Sequence, residues 1–321
     1  MILAGDVGGT KTILALYELK EGVWQCYKKK YFLSAEFDSF EKLLATFLEV
    51  ETNLQLKKVC IGVAGPIVNG DCVTTNLPWV LRQQEIAKQT GAEQVSLLND
   101  LEATAWGILK LPEKDFVELN PKAQVNQGNI AVLAAGTGLG EALVIWGNGL
   151  HHVVATEGGH TDFAPRNDLE IGLLQFLLKS YPEHVSYERV VCGQGLVDIY
   201  QYLKFVGYAL PEQLVEERLK KEDSAVVISE KTCRLSSKAV KMFCEIYGAE
   251  AGNLALKSLP KAGVVLAGGI AAKNLSSMQE NDFMRGFLAK GRYKGVLQNI
   301  SVKVCLNSEA ALVGALAFAR K

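Results

Sequence analysis

The first residues that could do chemistry form a glycine-rich stretch near the start of the chain. Gly5 to Thr12 reads G-D-V-G-G-T-K-T, which differs from the phosphate-binding pattern G-x-x-x-x-G-K-[ST] at Thr10, where that pattern needs glycine. A phosphate-binding loop of that type is followed by a helix. Residues 12–19, however, are rich in β-formers and do not have apolar residues at helical spacing. The stretch therefore predicts a strand, a glycine turn and a second strand.

A second glycine turn of the same kind occurs much later, where Gly136 to Gly140 reads G-T-G-L-G between apolar runs at 130–135 and 142–146. Two similar hairpins indicate a duplicated architecture in which each hairpin opens a domain. Their backbone N–H groups could hold a polyphosphate, with Thr10 and Thr137 adding hydroxyl donors. Either turn alone could be an ordinary hairpin turn.

Two aspartates follow predicted strands and could serve phosphoryl transfer. Asp6 ends the first strand and could hold Mg²⁺ through water, because hard cations prefer oxygen ligands. Asp100 lies between a predicted strand at 95–98 and a predicted helix at 101–111, at the end of a strand where α/β sheets bind ligands. Its carboxylate could take the proton from an attacking hydroxyl. Alternatively, Asp100 could simply cap the helix.

The segment E-G-G-H, from Glu157 to His160, has side chains that suit a carbohydrate. Glu157 can accept two hydroxyl protons, and His160 can donate or accept. The spacing E-x-x-H also occurs in di-iron helices, but two glycines argue against a helix and the sequence has no second copy. Alternatively, the segment could be a polar loop whose histidine forms its hydrogen bonds within the protein.

The elements that must position these residues alternate between strands and helices, which predicts an α/β fold. Asp38 and Glu41 have capping-box spacing at the start of a predicted helix at 38–48, and Ser308 is expected to cap a last helix at 309–320. Further helices are predicted at 169–178, 195–205 and within 212–258, and further strands at 59–64, 263–267 and 302–306.

Length and composition exclude several classes of function. A chain of 321 residues is expected to form two domains. The formal net charge of −1 provides no basic field for nucleic acid or an anionic membrane. No apolar run is long enough to span a bilayer, and the first residues lack a basic leader. Seven scattered cysteines suit reduced thiols in a cytoplasm, and they argue against disulfides or a Cys-rich zinc site.

The motifs resemble those of a known superfamily in type and order. D-V-G-G-T, G-T-G-L-G and A-G-G-I resemble the ATPase core shared by hexokinases, actin and heat-shock chaperones. More narrowly, LLNDLEATAWGI, TEGGHTDFAP, SYERVVCGQGL and LAGGIAAKN resemble the bacterial glucokinase family. The Cys-rich zinc cluster that a related family of sugar kinases and repressors carries after its sugar-binding histidine does not follow His160 in this sequence.

The resemblance implies a two-domain actin-like ATPase (ribonuclease H-like) α/β fold with an interdomain cleft. It implies a smaller domain at 1–110 plus 309–321, a larger domain at 111–308, and a homodimer. The implied reaction is transfer of a phosphoryl group from ATP to the 6-hydroxyl of glucose, with Mg²⁺ as cofactor and a cytoplasmic location. Neither nucleic acid nor a membrane is an expected partner.

The resemblance also assigns roles to individual residues. Asp100 would be the catalytic base, and Asp6 would hold Mg²⁺ through water. Gln194 stands where the family more often has proline, so the adenine contacts there stay open. The expected sugar-binding residues are Asn76, Asn99, Asp100, Glu157, His160 and Glu188. The expected nucleotide-binding residues are Gly5, Asp6, Val7, Gly8, Gly9, Thr10, Gly136, Thr137, Gly138, Gly268 and Gly269.

Three other functions stay open at this point. The protein could phosphorylate another hexose, such as mannose or N-acetylglucosamine. It could be a non-catalytic sensor of ATP and sugar, although retention of Asp100 with the sugar-binding set disfavours this. A chaperone or filament ATPase is disfavoured by the sugar motifs and by the lack of a substrate-binding domain after the core.

Overall fold

The computed structural model describes residues 1–49 and 54–321. Within these residues the chain forms two compact units. Unit 1 comprises Met1–Asp115 and Asn307–Lys321, and unit 2 comprises Phe116–Leu306. Each unit has a β-sheet and a hydrophobic core of its own. None of the helices in the described ranges has the length and hydropathy needed to cross a membrane.

Unit 1 is an α/β unit whose first helices are α1 (Phe40–Leu48), α2 (Gln83–Thr90) and α3 (Asp100–Ile108). Its strands are β1 (Ile2–Val7), β2 (Lys11–Lys20), β3 (Val23–Leu33), β4 (Lys58–Val63), β5 (Ile67–Val68), β6 (Asp71–Val73), β7 (Val80–Arg82) and β8 (Gln94–Asn99). The main sheet has the order β3-β2-β1-β4-β8, and β5-β6-β7 form a small second sheet. Because β1, β4 and β8 run parallel, their carboxyl ends lie at one edge of the main sheet.

Unit 2 is built on a six-stranded sheet in the order β12-β11-β10-β13-β14-β9. Its strands are β9 (Phe116–Glu118), β10 (Ile130–Ala135), β11 (Leu139–Gly147), β12 (Leu150–Thr156), β13 (Gly263–Ala267) and β14 (Val302–Cys305). Strand β10 pairs antiparallel with β11 and parallel with β13, just as β1 pairs with β2 and β4 in unit 1. The predicted strand–turn–strand structure is thus confirmed at both glycine turns.

Helices cover much of unit 2. They are α4 (Asp168–Leu177), α5 (Gly193–Phe205), α6 (Gln213–Leu219), α7 (Ser224–Ser229), α8 (Arg234–Ser258), α9 (Gly269–Lys273), α10 (Leu275–Gln279), α11 (Asn281–Leu288) and α12 (Lys294–Leu297). The helical region expected at 212–258 is therefore three helices. Asp223 separates α6 from α7 by capping α7, and Cys233 caps α8 with Ser236 in a capping box.

The last helix, α13 (Ala310–Ala319), belongs to unit 1 and packs closely on α3. A Cβ at Gly314 would collide with the carbonyl oxygen of Ala103, and a Cβ at Gly107 with that of Ala310. These glycines let the two helix backbones approach, and the contact fixes α3, whose first residue is Asp100.

Two expected helix caps are wrong. Ser39, not Asp38, caps α1, because its Oγ accepts a hydrogen bond from the Lys42 backbone N at 3.3 Å. Ser308 does not cap α13. Asn307 Oδ1 accepts from the backbone N of Glu309, so the chain turns there and the helix begins one residue later than expected.

Candidate active site

The first glycine turn is held in shape by two buried hydroxyls. Gly8 N donates to Lys11 O across the turn, and Ser34 N donates to Thr10 O. Ser34 Oγ donates to Gly8 O at 2.8 Å and lies 3.0 Å from the hydroxyl of Thr12. The sequence interpretation missed Ser34. Only its position at the end of β3, which pairs with β2, places it under the turn, so no local motif could have revealed it.

The expected nucleotide-binding residues in β1 and in the first turn differ in their surroundings. Gly5 and Val7 are buried in β1, and a Cβ at Gly5 would come within 2.7 Å of side-chain atoms of Ile61 and Leu14. Core packing therefore accounts for the glycine at position 5. Thr10 is exposed at the tip of the turn.

Asn76 lies against the first turn. A Cβ at Gly9 would be 2.8 Å from Cβ of Asn76. The structure thus brings one expected sugar-binding residue next to an expected phosphate-binding residue. Asn76 is exposed, so its amide is accessible to a ligand.

The ammonium group of Lys11 lies over an aromatic ring. Its Nζ lies 4.1 Å from the centroid of the Tyr31 ring, a cation–π arrangement. Tyr31 donates from its hydroxyl to Glu309, and Lys29 Nζ donates to both Glu309 oxygens at 2.9 and 2.8 Å. Lys11 therefore lies beside a charged cluster on β3 and the C-terminal segment.

Asn99 and Asp100 lie where β8 gives way to α3. Asn99 is the N-cap residue, and its Oδ1 accepts from the backbone N–H groups of Leu101 at 2.9 Å and Glu102 at 3.4 Å. Its Nδ2 donates to Gly65 O at 3.4 Å. Asp100 Oδ1 also accepts from Leu101 N, at 2.9 Å. The alternative in which Asp100 is the cap residue is therefore wrong, although its carboxyl also contacts the helix N-terminus.

The charge of Asp100 acts on Asp6 across β4. Asp6 is paired with Gly62, and a Cβ at Gly62 would be 2.9 Å from Cβ of Ala103 and 4.0 Å from Cα of Asp100. Burial, and then the charge of Asp100, raise the pKa of Asp6 to about 7, while Lys11 acts in the opposite direction. The structure therefore places two carboxyl groups near one another at the edge where the parallel strands end, with a glycine between them.

In unit 2, Glu188 lies directly against the second glycine turn. Its Oε2 accepts from the backbone N of Leu139 at 3.1 Å, and a Cβ at Gly138 would be 3.1 Å from its Cδ and closer still to Oε2. The turn is closed by Gly136 N donating to Gly138 O at 2.8 Å, and Thr137 at its tip is exposed. The glycine at position 138 is needed because the carboxylate occupies the space of a side chain.

Glu157 immediately precedes a short 3₁₀ turn, Gly158–His160, which follows β12 and ends at His160. His160 Nδ1 lies 3.9 Å from Glu188 Oε1, and the backbone N of Glu188 donates to Gly159 O at 2.9 Å. Both Glu157 and His160 are exposed. The structure therefore brings the three expected sugar-binding residues of unit 2 into two adjoining segments.

Gly268 and Gly269 also adjoin the second turn. Gly268 has a φ of 81°, in the left-handed region, and a Cβ there would be 3.0 Å from backbone atoms of Ala135. Gly193 N donates to Gly136 O at 3.0 Å, which brings the start of α5 to the same place. Gln194, on α5, donates to Asp198 Oδ1 at 2.8 Å. These backbone segments leave little side-chain bulk around the turn.

Comparison with known proteins indicates the family to which the chain is similar. A protein-family model described as Glucokinase matches residues 3–321. A protein named Glucokinase from a Nostoc species is 38% identical over 335 aligned residues, covering 98% of this chain and 97% of the relative. One from a Synechocystis species is 37% identical over 343, covering 98% and 96%.

A solved structure points to the same family. The crystal structure of glucokinase from an Antarctic psychrotroph has a TM-score of 0.83 and 28% identity, covering 99% of this chain and 98% of that one. The protein has the two-domain actin-like ATPase fold of these sugar kinases. The chain belongs to the bacterial glucokinase family.

Proposed function

We propose that this protein transfers the γ-phosphoryl group of ATP to the 6-hydroxyl of glucose. Relatives named Glucokinase at 37–38% identity over nearly the whole chain support this reaction. The structural observation that carries it is the position of Asp100. Its carboxyl lies at the end of β8, beside Asp6 at the end of β1, on the sheet edge that also carries the first glycine turn.

Asp100 is the base in this proposal. It is the first residue of α3, at the end of the sheet strand that precedes the helix. An ionised carboxylate can take the proton from the attacking hydroxyl as the phosphoryl group moves. Because Asn99 supplies the cap, the carboxyl of Asp100 does not have to perform that role alone.

The sugar is held by side chains with complementary donors and acceptors. Glu157 and Glu188 would accept hydroxyl protons, and His160 and the amides of Asn76 and Asn99 would donate. The 3.9 Å separation of His160 and Glu188 puts a donor and an acceptor within reach of neighbouring hydroxyls. We propose that this set, with Asp100, makes up the hexose site.

The nucleotide is held mainly by backbone N–H groups. The turns at 8–10 and 136–138 would donate to phosphate oxygens, with hydroxyls from Thr10 and Thr137. Gly268 and Gly269 would lie against the nucleoside, since they carry no side chain that would occupy the space. Gly5 and Val7 would contribute through their place in β1 and not through side chains.

The residues present also fit a Mg²⁺ ion. Two carboxyl groups close enough for Asp100 to raise the pKa of Asp6 form a region where a cation would relieve repulsion. Asp6 would hold the ion through water, and Mg²⁺ when bound would offset negative charge on the phosphates. The requirement for Mg²⁺, the cytoplasmic location and the homodimer are parts of this proposal that rest on the family resemblance. So is the assignment of units 1 and 2 as the smaller and larger domains.

A coupled assay tests the reaction. The purified protein is given ATP with and without Mg²⁺ and, separately, glucose, mannose and N-acetylglucosamine, and ADP release is followed. We expect the highest kcat/KM with glucose, activity only with the metal, and glucose 6-phosphate as product. A higher kcat/KM for another hexose would replace glucose as the substrate, and ADP release independent of any sugar would contradict the proposed reaction.

A further inference from the structure

Two glutamates lie buried beneath the Glu157–His160 segment and have no part in the chemistry proposed above. Glu141, on β11, is 1% exposed, and Glu250, on α8, is 0% exposed. The two carboxyl groups lie close enough for each to act on the pKa of the other. Ionised carboxyl groups are costly to bury, and two that lie close together also repel each other. The core of unit 2 therefore contains an acidic pair that needs a physical explanation.

A single shared proton provides that explanation. Oε1 of Glu141 and Oε1 of Glu250 both lack a hydrogen-bond partner among the described residues. An ionised carboxyl can only accept hydrogen bonds, whereas a protonated one can also donate. One proton shared between the two groups would give both oxygens a partner and would remove one of the two negative charges.

The other titratable groups near the two glutamates are compatible with one negative charge on the pair. The positive charge of Lys257 lowers the pKa of both glutamates, and that of Lys290, which follows α11, lowers the pKa of Glu250. Both lysines therefore favour a negative charge on the pair. The hydroxyls of Tyr247, on α8, and Tyr187 are near Glu141 and Glu250, respectively.

One end of the pair contacts the Glu157–His160 segment. Glu141 is paired with Thr156 in the β11–β12 register, and Thr156 Oγ1 donates to Glu141 O at 2.7 Å. Gly158 N in turn donates to Thr156 Oγ1 at 3.1 Å. A Cβ at Gly158 would be 3.0 Å from Cδ of Glu141 and closer to Oε2. The carboxyl of Glu141 therefore lies directly under the backbone of Gly158.

The other end connects to the segment that carries Glu188. Asn253 Nδ2 donates to Glu250 Oε2 at 2.8 Å and to the hydroxyl of Tyr187 at 3.0 Å. Lys290 donates to Asn253 Oδ1, which fixes the orientation of that amide. Tyr187 immediately precedes Glu188, and its backbone N donates to Thr161 O at 2.9 Å. The pair is thus linked by contacts to both segments that carry sugar-binding candidates of unit 2.

We propose that Glu141 and Glu250 share one proton and act as a positioning pair that holds the Glu157–His160 segment and Glu188 in their relative places. The expected effect on glucose binding rests on the proposed function, which assigns Glu157, His160 and Glu188 to the sugar. When the proton is lost, two charges repel beneath Gly158. The loop above them is then displaced, and glucose binds less tightly.

The direction of the pH dependence follows from the raised pKa of both carboxyl groups. Burial, and then Glu250, raise the pKa of Glu141 to about 8, and burial also raises the pKa of Glu250. Because the folded pKa lies above the unfolded one, the protonated pair stabilises unit 2 fully at low pH. That stabilisation is lost by the time the pH has risen through about 8. Glucose binding is therefore expected to weaken on the alkaline side.

Glu141→Gln and Glu250→Gln test the shared proton. Either amide donates to the remaining carboxylate at every pH, so it mimics the protonated pair. In the wild type, we expect the KM for glucose to rise between pH 7 and pH 9.5 while the KM for ATP changes little. In each Gln variant this rise should be absent. Glu141→Ala removes the partner altogether and should raise the KM for glucose about tenfold at all pH values, with a smaller effect on kcat.

Glu170→Gln is the matched control. Glu170 is also buried in unit 2, but it pairs with Arg166 at the start of α4 and not with an acid. This variant should lower the stability while keeping the alkaline rise in the KM for glucose. If Glu141→Gln and Glu250→Gln also keep the wild-type rise, the positioning role is wrong.

An infrared measurement separates the pair from the proposed function. The difference spectrum between wild type and either Gln variant at pH 7.5 should show the C=O band of a protonated carboxyl in the wild type only. Absence of that band would overturn the shared proton, whatever the activity. A wild type that shows the band but does not phosphorylate glucose would leave the shared proton in place and overturn both the proposed function and the positioning role.

Discussion

Asn99 Oδ1 accepts a hydrogen bond from the backbone N of Leu101 at 2.9 Å. This bond makes Asn99 the N-cap of α3 and leaves Asp100 as the first residue of the helix. The residue next to the proposed base therefore performs the structural role that Asp100 could otherwise have had. The carboxyl of Asp100 stays close to the helix N-terminus, where its Oδ1 accepts from the backbone N of Leu101 at 2.9 Å.

Replacement of Asn99 should separate its two roles. Asn99→Ala removes the cap and should lower the free energy of unfolding by about 1 kcal/mol, and it should also raise the KM for glucose through loss of the amide. Asn99→Ser keeps a capping oxygen but loses the amide donor, so it should keep most of the stability while still raising the KM. Chemical denaturation and steady-state kinetics measure the two effects. Equal stability of Asn99→Ala and wild type would contradict the cap.

The pKa of Asp6 predicts a pH dependence on the acid side. Burial, and to a lesser extent the charge of Asp100, raise the pKa of Asp6 to about 7. The ionised form is the one suited to Mg²⁺, so the KM for Mg-ATP should rise as the pH falls below about 7. Because the folded pKa lies above the ordinary value, the stability contributed by protonated Asp6 is full at low pH and is lost as the pH rises through about 7.

Asp6→Asn should therefore have two opposite effects. Without nucleotide it should unfold at a higher temperature than wild type at pH 8, because position 6 then carries no buried charge. It should also bind Mg-ATP weakly at every pH from 6 to 8.5. Asp38→Asn is the control, since Asp38 is an exposed residue of the same unit that pairs with Lys42. If the KM of Asp6→Asn for Mg-ATP kept the wild-type pH profile, Asp6 would not be the titrating group.

Gly136 and Gly138, both in the second turn, should respond differently to alanine. A Cβ at Gly138 would displace the carboxylate of Glu188, which would then lose its bond from Leu139 N. We expect Gly138→Ala to raise the KM for glucose by about tenfold to a hundredfold, the effect of losing a hydrogen bond to a charged group. Nothing lies within 4 Å of a Cβ at Gly136. Gly136→Ala should therefore leave the KM for glucose nearly unchanged, and a similar rise in both variants would contradict the role of Glu188.

The hydroxyl of Ser34 should matter to nucleotide binding although it is buried. Ser34→Ala leaves Gly8 O without its 2.8 Å hydrogen bond and should loosen the first turn, raising the KM for Mg-ATP several-fold. Ser258→Ala is the matched control, because Ser258 is also buried and donates to a backbone oxygen, but within α8. It should lower the stability without changing the KM for Mg-ATP. An unchanged KM in Ser34→Ala would show that the turn does not depend on Ser34.

The sequence could predict the parts of the structure that depend on neighbours along the chain. The two glycine hairpins and the strand–helix junction at Asn99–Asp100 follow from local patterns, and the structure confirms them. The cap at Ser308 was wrong because Asn307 turns the chain first. Ser34 under the first turn and the Glu141–Glu250 pair depend on residues that only the folded sheet and α8 bring together, so no spacing in the sequence indicates them.

The most direct test of the account is the Asp100→Asn variant, which keeps the size and polarity of the side chain but cannot take a proton. Turnover with glucose and Mg-ATP should fall by about two to four orders of magnitude. Glucose binding, measured by calorimetry or by quenching of tryptophan fluorescence, should stay within about threefold of wild type. Near-normal turnover in a correctly folded Asp100→Asn protein would show that Asp100 is not the base.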